Sequence, residues 1–148
     1  MVGLPYDDLK GWRVIYPEDV FISQLQKVCD GFAEGISLLK TAVKGKKISS
    51  ILQQEINVAE VLYLHYSSII NQAKFIIARR SLASGGNAQL KSEIRKILSS
   101  ETDLALRLAA IQGSDSRIGF EASNHYFYVP QDLFEKALNC SKLMELYS

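Results

Sequence analysis

Three runs of apolar residues recur at spacings of three and four along this chain. Val20, Phe21, Leu25, Val28, Phe32, Ile36, Leu39 and Val43 make the first; Leu52, Ile56, Ala59, Tyr63, Tyr66, Ile70, Ala73 and Ile77 the second. Leu90, Ile94, Ile97, Leu98, Leu104, Ala105, Leu108 and Ile111 make the third. That period places each set on one face of a helix, and such a face is stable only when another apolar face covers it. The breaks between the runs, "KGKK" and "SGGN", are short, so consecutive helices must pack as antiparallel neighbours. A fourth, shorter run holds Leu133, Phe134, Ala137, Leu138, Met144 and Leu146. The pattern predicts an all-α fold: an up-down bundle of three long helices plus a shorter C-terminal helix, with an ordered aromatic loop before the last.

Local signals set the ends. Pro17 followed by Glu18 and Asp19 suits a helix start, Ser50 with Gln53 reads as a capping box, and Asn87 is an N-cap. "VPQDLF" repeats the start chemistry of "YPEDVF". Helices are expected at about residues 17–44, 50–82, 87–112 and 130–147 of a single domain spanning 1–148. Ser99 and Ser100 are candidate bend points in the third, with Asp103 completing a weak second cap. Val61, Leu62, Leu64, Ile69 and Ile76 add apolar flanks to the second helix, which is therefore placed centrally. Residues 1–16 have no helical period and read as an extended segment, laid across the bundle to keep Leu4, Trp12, Val14 and Ile15 from water.

Charge and motif content remove several functional classes. Lys plus Arg number 17 against 16 for Asp plus Glu, so no global field would hold nucleic acid phosphates or an anionic membrane, and neither partner is expected. Cys29 and Cys140 are too few for a disulfide framework or a zinc site and read as buried thiols. No glycine-rich phosphate loop, nucleophile elbow or metal motif occurs, and no cofactor is expected. His65 has Ile69 at its i+4 position, where a helical metal site would want a ligand, and reads as a core or boundary histidine. Glu101 falls beside the third seam and reads as an edge residue; if buried, it would need Arg107 or Arg117. Glu55 and Glu60, five apart, do not share a face as paired acids would, and "KGKK" reads as a solvated turn. No compartment is assigned.

Residues 113–129 do not fit a plain bundle connection. Such connections usually take roughly two to eight residues, yet "GSDSRIGFEASNHYFYV" is longer and dense in aromatic and polar groups. Ile118, Phe120, Tyr126, Phe127 and Tyr128 argue for an ordered loop. Arg117 and Glu121 are expected to form its structural hub. Asn124, His125, Tyr126 and Tyr128 are the candidates for binding a partner or polar ligand, because planar hydrogen-bonding groups beside aromatic faces suit hydroxylated molecules. A purely structural loop explains the same composition.

The motifs "DSRIGFEASNHYFY" and "LPYDDLKGWRVIYPEDVF" resemble the C-terminal helical region of large uncharacterised bacterial proteins related to glycoside hydrolases. The resemblance implies an excised accessory or structural domain that follows a catalytic barrel, with that catalytic domain of the same polypeptide as partner and carbohydrate as a possible ligand. It carries over no catalytic residue. The alternatives are a free-standing helical interaction module acting through the 113–129 loop, and an enzyme using Glu121 and His125 as acid and base.

Overall fold

The computed structural model describes residues 7–120 and 127–148. Its elements are α1 (Leu9–Arg13), α2 (Glu18–Val43), α3 (Ser50–Ala83), α4 (Ala88–Ser114) and α5 (Pro130–Leu146), with no strand among the described residues. The four longer helices begin and end within two residues of their expected limits. Asn87 caps α4 by accepting from Gln89 N, and Pro130 opens α5, where the Asp132 carboxylate accepts from Val129 N at 2.7 Å.

Three local expectations are corrected. Ser49, one residue before the expected cap, caps α3 by accepting from Leu52 N, and Ser50 is already helical. α4 runs through Ser99 and Ser100 as one helix, so tertiary packing on both sides of the serines overrides their weak preference for a cap. The N-terminal segment is not wholly extended. Asp8 accepts from Gly11 N at 3.0 Å and starts α1, whose Leu9 is only 2% exposed against Ala73 and Ile76. Trp12 is half-buried against the same cluster, but Val14 and Ile15 stand in solvent. Val14 also adopts φ 53°, which a β-branched residue rarely does, where α1 turns toward α2. Leu4 lies outside the described residues.

Cross-helix pairs establish the antiparallel order. Glu18 meets Arg80, Cys29 meets Ser67 and Lys40 meets Glu60, so numbers rise along α2 as they fall along α3. Similarly, Ser68 meets Glu101, while Lys136 reaches Glu101 and Lys91 reaches Ser148. α3 packs on both α2 and α4, and α5 folds back along α4. The main core joins Val61 and Leu64 of α3, Leu104 and Leu108 of α4, Ile118 of the loop and Leu133 of α5. A second cluster of Ala78, Ile94, Leu98 and Cys140 closes the other end. Burying each large aliphatic side chain contributes roughly 1.5–3 kcal/mol, which makes these clusters the main source of stability.

α2 buries less of its apolar seam than α3 and α4 do. It packs on α3 and makes no comparable contact with α4 or α5, so Cys29, beside the seam, is its one buried residue and the seam itself is at most half-buried. Leu38, next to the seam, is 65% exposed. A helix meeting one neighbour buries a narrow stripe and leaves its flanks wet.

Candidate functional site

The loop between α4 and α5 is held by a residue the sequence did not single out. Gln112, buried on the last turn of α4, donates through Nε2 to the carbonyls of Ile118 at 3.0 Å and Tyr128 at 2.7 Å. Gly119 passes so close that a Cβ would lie 2.6 Å from Gln112 Nε2 and 2.7 Å from the Tyr128 oxygen, and its φ of +82° favours glycine as well. Phe127 N donates to the Gly119 carbonyl at 2.8 Å, which brings the two ends of the loop side by side. Asp115 caps the first turn by accepting from Arg117 N, and its carboxylate takes a two-point ion pair from the Arg117 guanidinium at 2.9 and 2.6 Å. Those hydrogen bonds pull the Asp115 carboxyl down to about 2.

Among the described residues, Arg117 makes its ion pair within the loop. Its side chain is exposed, and its acid among the described residues is Asp115, two positions away, because a tight turn favours the nearest carboxylate. Glu121, the expected partner, lies outside the described residues, as do Asn124, His125 and Tyr126.

Tyr128 faces inward. Its hydroxyl is 2.8 Å from His65 Nε2 and its ring stands edge-on to the imidazole, with centroids 5.4 Å apart. The direction follows from the extended backbone leading into α5, where side chains alternate: Tyr128 packs on the main core and Phe127 is left 78% exposed. Burial, with the Lys136 ammonium nearby, lowers the His65 pKa from its ordinary value, and burial raises that of Tyr128. His65 is a boundary histidine with a phenol partner, as its position on α3 suggests.

Glu101 corrects the edge reading: it is 6% exposed. Ser68 Oγ donates to it at 2.6 Å, Asn71 Nδ2 at 2.9 Å, and Lys136 Nζ forms an ion pair at 2.5 Å. The counter-ion is neither Arg107 nor Arg117. It comes from α5, whose buried face, marked by Leu133, Ala137 and Cys140, carries Lys136 along its edge. The signals existed in sequence: Ser68 and Asn71 sit beside the α3 seam, and Gln112 follows Leu108 by one helical turn. Glu101 also raises the pKa of the buried Cys140 thiol, an effect second to burial itself.

Between α3 and the loop lies an apolar groove of about 630 Å³, floored by Val58, Leu62 and Ile69 and walled by Phe120 and Phe127. His65 and Tyr128 form its polar end. Among the described residues no cluster of His, Cys, Asp or Glu could hold a metal ion, and no helix is long and apolar enough to cross a membrane. No protein-family model, curated protein or solved structure matches the chain.

Proposed function

We propose that this chain is a helical accessory domain of a larger, carbohydrate-active protein of the glycoside-hydrolase kind, docked on the neighbouring catalytic domain of the same polypeptide. The two sequence motifs support that parentage. The docking role is carried by the groove beside the loop: Phe127 and Phe120 expose large aromatic surfaces next to Val58 and Leu62, and the Gln112 clamp holds both ends of the loop in place. An apolar patch on a fixed scaffold marks a contact surface more than a folding need.

Hydrogen exchange tests this reading. In the native gene product, backbone amides of residues 58–69 and 117–120 are expected to exchange more slowly than in this chain by itself. Phe127→Asp should remove the extra protection without loosening α4. A gene product no longer than this chain, or one whose groove exchanges as freely as the isolated chain, overturns the proposal. The first outcome would favour the free-standing module using the same groove.

A further inference from the structure

A second groove lies on a different face of α3. Because α2 and α4 both pack on α3 but scarcely on each other, a cleft of about 480 Å³ opens between them, with α3 as its floor. α2 contributes Ser37, Lys40, Thr41 and Lys44, which recur at three- and four-residue spacing and so line one wall. Tyr63 rises from the floor, and Arg107 closes the wall of α4 with its guanidinium over the Tyr63 ring at 5.9 Å.

The polar groups there are nearly all donors. Two lysines, an arginine and three hydroxyl-bearing side chains line the cleft, and its carboxylate, Glu60, is already ion-paired with Lys40. Among the described residues, Lys44 and Arg107 therefore have no carboxylate partner within the cleft, and they lie more than sixty positions apart in sequence. A chain of nearly neutral total charge has gathered a local excess of positive charge where its helices diverge. A bare cation or neutral polyol gains little from such a lining. A tetrahedral oxyanion gains charge-assisted hydrogen bonds from both sides, with hydroxyl donors for its remaining oxygens.

We propose that the α2–α3–α4 cleft binds a small ligand bearing a phosphate or sulfate monoester, held between Lys44 and Arg107, with Ser37 and Thr41 donating to its outer oxygens. The site is independent of the docking groove and of any partner bound there. Its ligand is defined by the oxyanion.

The test is an NMR amide-shift titration of the full chain with glucose 6-phosphate, glucose 6-sulfate and unmodified glucose at low ionic strength. Saturable shifts confined to residues near 37–44, 60–63 and 107 are expected with one or both esters and not with glucose, and the tighter ester identifies the natural anion. Arg107→Gln and Lys44→Gln should each weaken binding about ten-fold, the loss of one charge-assisted hydrogen bond. Lys91→Gln, at the far end of α4, should leave it unchanged. Both tested cations are at the surface, so misfolding will not mimic the loss. Shifts spread over all surface lysines, equal shifts with glucose, or affinity unaltered in both cleft variants overturns the proposal.

Discussion

Gln112 Nε2 and the Tyr128 carbonyl oxygen are 2.7 Å apart, and this bond, with its companion to Ile118, ties the end of α4 to the residues leading into α5. Both acceptors would lose their side-chain donor in Gln112→Leu. Leaving buried acceptors unpaired costs about 1–3 kcal/mol, and the variant should lose that much in urea denaturation with an unchanged slope. A loss below about 0.5 kcal/mol would mean that the clamp is dispensable.

Two glycines near the loop should respond in opposite ways to alanine. Gly119→Ala puts a Cβ into Gln112 and Tyr128 at positive φ, and is expected to cost roughly 1–3 kcal/mol. Gly113→Ala meets nothing within 4 Å inside α4 and should be neutral or stabilising by up to about 1 kcal/mol. Thermal melts of the two variants check the contrast, and equal effects would refute the close approach at Gly119.

Glu101 and Lys136 should be strongly non-additive. Glu101→Leu leaves a half-buried ammonium without its counter-ion, and Lys136→Met leaves a buried carboxylate with only neutral donors. Because Lys136 is partly solvated, each single change should cost about 2–4 kcal/mol, near or below the lower end for a broken buried pair. The double variant should cost less than the sum by about 1 kcal/mol or more. Simple additivity in a double-mutant cycle would show that the pair contributes no coupling.

Acid sensitivity is expected from His65. Its folded pKa lies below the unfolded value, first through burial and then through Lys136. The unfolded chain therefore binds more protons than the folded one once the pH drops toward the unfolded pKa of about 6.5. Stability from this group is complete above that value and declines as pH falls through it toward the lower folded pKa. His65→Gln should flatten this part of the stability profile measured between about pH 7.5 and 5. An identical slope in both proteins would assign the sensitivity to other groups.

The docking of α1 can be read at two positions. Leu9→Ala should cost about 2–4 kcal/mol, as expected for a fully buried leucine, and should shift Trp12 emission to the red. Ile15→Ser, at a solvent-exposed position, should change stability by less than about 0.5 kcal/mol. An unaltered Trp12 spectrum in Leu9→Ala would show that the segment does not depend on that anchor.

The sequence by itself determined what is local. The four longer helices, their ends and their order follow from a 3.6-residue apolar period and from local signals such as Asn87 and Pro130, whereas α1 was not in the pattern. It also marked residues 113–129 as a feature needing its own explanation. Tertiary structure decided everything that depends on how the helices are rotated about their axes. Periodicity placed Glu101 near a seam, but only the angle between α4 and α5 brings Lys136, 35 positions later, to its carboxylate. It showed Tyr128 as an aromatic residue in a polar loop, but only the packing of that loop on α3 turns the phenol toward His65, 63 positions away. The cleft between α2 and α4 was likewise out of reach. An apolar period says that a helix must be covered, whereas the number of neighbours that cover it is settled by the global packing of the chain.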